Sequence, residues 1–263
     1  MSDDLLVERS GPVLTVTANR PERHNAMTLA MYDQLFSACR AADNDPHVRV
    51  LVLRGAGEKA FVSGTDISTF ADFSDDAAGA DGIAYERRIA EVVNRLEDVT
   101  VPTVAAVRGY CMGGGLALAA VCDLRVATRS ARFGVPIART LGNCLSVNSV
   151  SVLVGQLGPA RTLDLLLRAR SLTGEEAAAA GFVAELCEDD ALDAALAGVV
   201  DTLLAHAPLT LAASKAAVTR VRRTRLPADP IGEDVVASAF GSDDFRQAVA
   251  GFGSGRPTVW RGV

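Results

Sequence analysis

The chain is poor in aromatic residues, in histidine and in paired cysteines. Phe, Trp and Tyr make up 5% of its 263 residues, and only three residues are His. The five Cys are odd in number, widely spaced and without a CxxC pair. This pattern excludes a disulfide framework and indicates reduced thiols. None of the three His has metal-ligand spacing to another, so we expect no metal site.

Positive charge and long apolar runs are also scarce. The formal net charge is −6, and the one short basic cluster spans residues 220–225. Nucleic acid is therefore not an expected partner. We expect no apolar run long enough to cross a bilayer, which argues against a membrane partner. The acidic first ten residues lack the apolar core of a signal peptide, so we expect a cytoplasmic protein.

Hydrophobic residues make up 49% of the chain and follow two different patterns. Up to about residue 145, short apolar strands alternate with amphipathic helices. Beyond that point, long Leu/Ala segments predict helices, including a single helix over residues 232–250. The acidic, Ala- and Gly-rich residues 74–82 predict a loop or flap. The fold class is therefore α/β with a helical C-terminal part.

The most informative stretch is TVAAVRGYCMGGGLALAAVCD at residues 103–123. An apolar strand turns at residues 108–110, and the glycines 113–115 open an apolar helix. The start of a helix carries unpaired N–H groups and a partial positive charge, which suits an anion or a developing oxyanion. A dinucleotide fingerprint does not fit, because Leu118 stands where the third glycine belongs. A P-loop is excluded because no Gly-Lys-Ser/Thr follows.

A second strand ends in a glycine turn at AFVSGTD, residues 60–66. The amide of Thr65, directly after Gly64, would point into a cleft. Asp66 is interpreted as a helix N-cap, because Asp is among the preferred residues there. If two such strand-to-turn amides converged on one oxygen, they would stabilise an enolate or a tetrahedral oxyanion formed from a thioester.

Four stretches resemble the crotonase (enoyl-CoA hydratase/isomerase) superfamily, in the family's order and spacing. They are NRPERHNAM at 19–27, KAFVSGTDI at 59–67, AVRGYCMGGGLALAAVCDLRVA at 106–127 and FGSGRPTVWRG at 252–262. The resemblance implies a spiral of ββα units over residues 1–195 and a helical trimerisation region over residues 196–263. It also implies an acyl-CoA thioester as substrate, no cofactor besides the coenzyme A of that substrate, and a homotrimer or a hexamer built as a dimer of trimers.

The resemblance further implies roles for individual residues. The amides of Thr65 and Gly114 would form the oxyanion hole. Other candidate substrate-binding residues are Gly64, Asp66 and Gly113 beside the hole, Arg23, Lys59 and Ala60 toward the nucleotide end of coenzyme A, and Ile137, Arg139 and Asn143 around the acyl group. Lys and Arg suit the phosphates of coenzyme A because they neutralise them.

The chain departs from the family pattern at both hydratase glutamates. The resemblance places Ala117 and Ile137 at those positions, and neither side chain titrates or hydrogen-bonds. The acid that dienoyl isomerases of the family use would fall at Leu145 or Ser146 and is also absent. An efficient hydratase working by the family route is therefore not expected.

Three interpretations stay open. The first is an enzyme of the enoyl-CoA hydratase/isomerase type that stabilises a thioester enolate. The second is a decarboxylase or thioester hydrolase in which Arg139 binds an acidic acyl group. The third is a non-catalytic acyl-CoA-binding homologue. Cys144 is interpreted as an inert thiol, because nothing nearby in sequence supplies a base.

Overall fold

The computed structural model describes residues 3–74, 76–254 and 258–263. The strands are β1 Leu5–Ser10, β2 Val13–Ala18, β3 Val50–Gly55, β4 Ala60–Val62, β5 Thr103–Val107, β6 Tyr110–Met112, β7 Leu124–Thr128, β8 Arg132–Gly134, β9 Ser171–Thr173 and β10 Glu185–Cys187. The α-helices are α1 Leu29–Asn44, α2 Ala78–Glu97, α3 Gly114–Val121, α4 Ile137–Thr140, α5 Val147–Leu167, α6 Gly174–Ala179, α7 Leu192–Ala205, α8 Pro208–Arg223, α9 Glu233–Phe240 and α10 Asp243–Gly251.

The strands form two sheets that the chain visits in turn. One sheet has the order β1-β2-β3-β5-β7-β10, and the other has the order β4-β6-β8-β9. Successive strand pairs β3–β4, β5–β6 and β7–β8 each place one strand in each sheet, and helices α2 and α3 follow the first two pairs. Pairing between neighbours is parallel except for β1–β2 and β8–β9. This is the expected spiral of ββα units.

The six-stranded sheet is buried on both faces, as its continuous apolar strands predict. Alternate residues of β3 point to opposite faces, so that Leu51 and Leu53 join the main core while Val50 and Val52 pack on the other side. Helix α7 covers that second side with Leu192, Leu196 and Val200. The expected boundary between residues 195 and 196 falls inside this helix.

The structure corrects the prediction of a loop or flap over residues 74–82. Residue 75 lies outside the described residues, but helix α2 begins at Ala78 and so includes residues 78–82 of the predicted loop. The small residues here allow close packing rather than mobility. A Cβ added at Gly79 would lie 2.9 Å from the Ala237 carbonyl, and one at Gly82 would lie 2.4 Å from the Phe240 ring. The backbone of α2 therefore packs against the backbone of α9 at Gly79 and against the Phe240 side chain at Gly82.

Two predictions about the C-terminal half are also wrong. Residues 232–250 form two helices rather than one, because Ser242 accepts a hydrogen bond from the Phe245 amide and caps a new helix, α10. The short strands β9 and β10 lie in a region predicted to be helical. They extend the two sheets by pairing with β8 and β7, a tertiary contact that local patterning does not reveal.

Among the described residues, helix α5 is long and apolar enough to cross a bilayer by length and composition, with a mean hydropathy of 1.2. The bent pair of segments Asp189–Ala205 and Pro208–Arg223 would count as a second candidate if it formed one span. The sequence analysis expects no apolar run long enough to cross a bilayer, and helix α5 differs from that expectation. Core helices meet the same criterion. Helix α5 buries Asn148, Ser149 and Thr162 with its apolar residues, and its backbone leaves the helical conformation at Gly158.

Candidate active site

The two glycine turns meet because the strands that precede them are neighbours. Strands β4 and β6 pair in parallel, with Val62 opposite Cys111. Thr65 and Gly114 each lie three residues beyond that pair. Since the carboxyl ends of parallel strands share one edge of a sheet, the equal offsets bring the two turns side by side. A Cβ added at Gly114 would lie 3.6 Å from Thr65 Oγ1, and one at Gly113 would lie 3.8 Å from Gly64 Cα.

Both turns use backbone conformations that suit glycine. Gly64 has φ of +119° and Gly113 has φ of +52°, in a region that strains any residue with a Cβ. Neighbouring amides are occupied, because Gly113 N–H donates to the Gly134 carbonyl and Asp66 N–H donates to the Met27 carbonyl. Within the described residues, the amides of Thr65 and Gly114 donate no hydrogen bond to the protein. Gly114 is the first residue of α3, where a helical N–H has no internal partner.

These turns open on a cavity of about 200 Å³. Four of the predicted site residues on the two turns line it: Gly64, Thr65, Gly113 and Gly114. Ala117, Ile137 and Asn143 line it as well, so both positions of the missing glutamates face this space. Seven further lining residues are apolar, namely Ile67, Phe70, Ile89, Pro136, Leu141, Leu145 and Phe252, and five have polar side chains, namely Ser63, Tyr85, Glu86, Thr140 and Ser149. Of the resembling stretch at 252–262, residues 255–257 lie outside the described part of the chain.

A chain of three hydroxyl groups holds the Thr65 turn in place. Thr65 Oγ1 lies 3.0 Å from Tyr32 Oη on α1 and 2.6 Å from Tyr85 Oη on α2. Burial raises the pKa of Tyr32 to about 12 and that of Tyr85 well above its usual value. Both phenols therefore keep their protons at neutral pH. Thr65 is thereby tied to two helices through its side chain while its amide stays unpaired.

Sequence reasoning missed a carboxylate in this cavity, Glu86 of α2. Its side chain is buried and lines the space, and Oε2 accepts a hydrogen bond of 2.9 Å from the Ser146 amide. Burial raises the pKa of Glu86 from 4.5 to about 7, and hydrogen bonds from Ser146 oppose that rise. Helical spacing contained a signal for it. The buried residues Ala78, Gly82, Glu86 and Ala90 recur every four residues, which places Glu86 on the apolar face of α2.

Of the two polar residues predicted around the acyl group, Asn143 lines the cavity and Arg139 does not. Asn143 lines the cavity, and its buried Oδ1 has no hydrogen-bond partner among the described residues. Arg139, by contrast, is exposed and is not among the residues that line the cavity.

Cys144 donates a long hydrogen bond to the Val235 carbonyl, and burial raises its pKa to about 12. That thiol is protonated at neutral pH and is a poor nucleophile.

Asp66 uses its carboxylate within the protein. Oδ1 caps the short 3₁₀ helix Ile67–Phe70 by accepting from the Ser68 amide and hydroxyl. Oδ2 forms a 2.7 Å ion pair with Arg20. Partial burial acts to raise the pKa of Asp66, but the hydrogen bonds from Arg20 and Ser68 outweigh it and hold the pKa below 3.8. The predicted N-cap is present, and Asp66 does not line the cavity.

The remaining predicted residues lie away from the acyl-sized cavity. Arg23 is exposed on a short 3₁₀ helix, Pro21–Arg23. Lys59 is exposed at a second, larger cleft of about 620 Å³, which His24, Arg108 and Arg132 also line. Ala60 is buried in β4, where its carbonyl accepts a 2.7 Å hydrogen bond from Asn25. That bond fastens the loop carrying Arg23 to the strand that leads to Thr65.

Comparison with known proteins places this site in context. Residues 8–262 match the family model described as enoyl-CoA hydratase/isomerase. A probable enoyl-CoA hydratase of Mycobacterium tuberculosis is 31% identical, with 95% of each chain covered. The short-chain-enoyl-CoA hydratase of Clostridium acetobutylicum is 29% identical over 95% of this chain and 94% of that protein.

Two solved structures match this chain over nearly its whole length. An enoyl-CoA hydratase/carnithine racemase from Magnetospirillum magneticum is 33% identical, with a TM-score of 0.79, and the match covers 100% of this chain and 97% of that one. An enoyl-CoA hydratase from Mycobacterium avium subsp. paratuberculosis is 25% identical, with a TM-score of 0.86 and 98% of each chain covered. The chain therefore has the same overall fold as these solved proteins.

Proposed function

Because the chain belongs to the enoyl-CoA hydratase/isomerase family, we propose that it forms and stabilises the enolate of an acyl-CoA thioester. The observation that carries this proposal is the pair of unpaired amides, Thr65 and Gly114, at the mouth of an apolar cavity. A thioester carbonyl seated between them would receive two N–H donors that need no rearrangement as negative charge develops. Losing one such donor typically costs about 10²–10³ in turnover.

The cavity supports a short acyl group. Its volume of about 200 Å³ lies below the roughly 300–1,000 Å³ of pockets that hold drug-sized ligands. Its apolar lining would cover an acyl chain, and the unpartnered Asn143 Oδ1 offers one polar contact. Arg23 and Lys59 are exposed and would meet the phosphates of coenzyme A, which is the only cofactor in the proposal and belongs to the substrate.

Hydration is not the reaction that this site favours. Ala117 and Ile137 present no carboxylate to hold a water molecule. Each missing acid–base group costs typically about 10²–10⁴ in rate. Decarboxylation or hydrolysis of an acidic acyl-CoA loses its main support, because Arg139 lies outside the cavity lining. We therefore place the chain among the family members that move protons next to the thioester.

A test compares two variants that differ in whether residue 114 has an amide N–H. A side chain at position 114 meets the Tyr32 hydroxyl, with a Cβ 2.5 Å away, so both variants also carry Tyr32→Phe. Gly114→Ala keeps the N–H, and Gly114→Pro removes it at the first position of a helix, where proline is tolerated. The readout is exchange of the α-protons of butyryl-CoA in D₂O. We expect the proline variant to be at least 100-fold slower than the alanine variant.

Calorimetry with the same thioester distinguishes an enzyme from a non-catalytic acyl-CoA-binding protein. Tight binding of butyryl-CoA without exchange in the native protein would indicate a non-catalytic acyl-CoA binder. Equal exchange rates in the alanine and proline variants would remove the oxyanion hole from the proposal. Fast hydration of crotonyl-CoA by the native protein would contradict the roles given to Ala117 and Ile137.

The proposal includes a cytoplasmic homotrimer or hexamer, a dimer of trimers. Helix α8 supports self-association because it exposes Leu209, Val218 and Val221, with 84%, 72% and 62% of their surfaces accessible. Light scattering should give the mass of three or six chains, and Val218→Glu should lower it. A monomeric native protein at micromolar concentration would contradict this part of the proposal.

A further inference from the structure

The proposed function gives no role to Glu86, a buried carboxylate in the same cavity. It is 3% exposed and lies in the same cavity lining as Thr65 and Gly114. Oε2 is held by the Ser146 amide at 2.9 Å. The Ser146 hydroxyl also hydrogen-bonds the Glu86 carboxylate, and no other described residue donates a hydrogen bond to it. Ser146 therefore fixes the orientation of the carboxylate, and the Glu86 side chain lines the cavity that a ligand would fill.

The surroundings of Glu86 bring the pKa of its carboxyl group close to neutral pH. The titratable groups facing it are Tyr32 of α1, Tyr85 beside it on α2, and Cys144 from the segment before α5, all with raised pKa values. No described cation forms an ion pair with Glu86. Burial therefore dominates and brings the pKa to about 7. A group with that pKa can both take and return a proton at neutral pH.

We propose that Glu86 is the catalytic acid–base of this site and moves a proton between the α- and γ-carbons of a short enoyl-CoA thioester. This inference rests on the proposed function, because it needs the thioester carbonyl to lie between the Thr65 and Gly114 amides. It assigns the reaction class, a 1,3-proton shift that converts a 3-enoyl thioester into its conjugated 2-enoyl isomer.

The step balances without any further reactant. The carboxylate of ionised Glu86 removes a proton from the α-carbon, and the C–H electron pair forms a double bond to the carbonyl carbon. The carbonyl π pair moves to oxygen, giving a dienolate that the two amides stabilise. Protonated Glu86 then donates the same proton to the γ-carbon, which bonds it with the π pair of the 3,4-double bond, and the 1,2 π pair shifts to the 2,3 position. The oxygen pair reforms the carbonyl, the 2,3-double bond forms, and the carboxylate is regenerated.

Other groups in the cavity are poorly suited to this task. Glu86 is the one Asp, Glu, His, Lys or Arg among the described residues that line it. Tyr85 lines the cavity too, but its pKa is well above its usual value, so it stays protonated. Asn143 can donate or accept a hydrogen bond but does not titrate. A 1,3-shift needs one group that reaches two carbons, which suits a single carboxylate.

A structural role for Glu86 makes a different prediction. The Ser146 amide at the N-cap of α5 donates to Oε2, so Glu86 also stabilises the start of that helix. Glutamine at this position keeps an oxygen acceptor for the Ser146 amide and nearly the same shape. If the role were structural alone, Glu86→Gln would retain turnover, and the rate would not follow the ionisation of a group with a pKa near 7.

The experiment measures isomerisation of but-3-enoyl-CoA to crotonyl-CoA by the absorbance of the conjugated product. The variant is Glu86→Gln, and the matched control is Glu91→Gln, an exposed glutamate on the same helix. We expect Glu86→Gln to lose at least 100-fold in kcat while butyryl-CoA binding by calorimetry changes less than threefold. The control should stay within twofold. In the native protein, kcat should rise with pH through a single ionisation near 7.

The outcomes separate the two proposals. Isomerisation that survives in Glu86→Gln within threefold overturns the role of Glu86 and leaves the oxyanion hole intact. A native protein that neither binds the thioester nor turns it over overturns the proposed function, and the inference with it. If Glu86→Gln does not fold, Glu86→Asp decides. Partial activity with a shifted pH midpoint supports the role, and an unchanged pH profile contradicts it.

Discussion

The hydroxyl oxygen of Thr65 lies 2.6 Å from the hydroxyl oxygen of Tyr85, although twenty residues separate them in the chain. Tyr32 approaches the same Thr65 hydroxyl at 3.0 Å from α1. Each of these hydrogen bonds is worth about 0.5–1.5 kcal/mol, and a buried hydroxyl left unpaired costs about 1–3 kcal/mol. The turn that presents the Thr65 amide is therefore fixed by its own side chain.

Replacing Thr65 by Val should loosen this turn without changing its shape. Thr65→Val leaves both phenols without their shared partner, so we expect a loss of about 2 kcal/mol in the free energy of unfolding and about tenfold in kcat. Thr65→Ser keeps the hydroxyl and should retain most of both. Urea unfolding and isomerisation kinetics measure the two effects. Equal losses in the Val and Ser variants would show that the methyl group, not the hydroxyl, matters.

The contact between Gly114 and Tyr32 gives a second prediction. A Cβ at position 114 would lie 2.5 Å from Tyr32 Oη but 3.8 Å from the next ring atom, Cζ. Gly114→Ala alone should therefore displace the amide or the phenol and cost at least tenfold in turnover. Adding Tyr32→Phe removes the clashing oxygen and should restore part of the loss. The double-mutant cycle is read from turnover and thermal midpoint together, and strictly additive losses would contradict the contact.

The two turns of the candidate site could be predicted from sequence, because each is encoded by a short contiguous stretch. A strand that ends in Gly64-Thr65 or in Gly113-Gly114 leaves a short, recognisable pattern. The missing parts depend on contacts between distant segments. Strand β6 is not predicted, and the predicted turn at residues 108–110 includes its first residue, Tyr110, because residues 110–112 form a strand only by pairing with β4 and β8. Glu86 escaped notice because a glutamate in an amphipathic helix is usually on the solvated face.

The ion pair between Arg20 and Asp66 predicts a pH-dependent contribution to stability. The folded-state pKa of Asp66 lies below 3.8, so its contribution is present above that value and is lost as the pH falls through the lower folded-state pKa. Asp66→Asn removes the charge but keeps a good N-cap. We expect it to cost about 1 kcal/mol at pH 7, a value limited by partial exposure, and less at about pH 2.

Urea unfolding at both pH values measures this difference. Asp72→Asn, at an exposed position nearby, serves as the control and should change little at either pH. A cost that is the same at pH 7 and at about pH 2 would mean that the charge of Asp66 is not what stabilises the loop.

Glu86 should lower stability at alkaline pH. Its folded-state pKa of about 7 lies above the usual 4.5, so the folded chain holds the proton more tightly. Stability should therefore fall as the pH rises from about 4.5 to 7. By linkage at about 1.4 kcal/mol per pKa unit, the loss is on the order of 3 kcal/mol. Glu86→Gln should unfold at higher urea concentration than the native protein at about pH 8.5, and the difference should shrink at about pH 4.5. Equal midpoints at both pH values would contradict the burial of an ionisable carboxylate.

Restoring the two absent carboxylates should create hydration activity. Ala117 and Ile137 line the same cavity, and the family resemblance implies glutamates at both positions. The double variant Ala117→Glu/Ile137→Glu would place a water molecule between two acid–base groups opposite the β-carbon of crotonyl-CoA. Each group typically contributes about 10²–10⁴ in rate, but the cavity of about 200 Å³ is already shared with Glu86, so we expect a gain of at least tenfold over the native protein.

The loss of absorbance of the conjugated thioester measures this gain. The matched control is Ala117→Gln/Ile137→Gln, which has the same bulk and polarity but no titrating group, and it should not exceed the native rate. Three carboxylates in one small space repel one another, so the pH optimum of the glutamate pair should lie above that of isomerisation by the native protein. If both double variants hydrate crotonyl-CoA equally, water positioning in this cavity does not depend on a carboxylate. The absence of glutamates would then not explain why the site favours proton transfer.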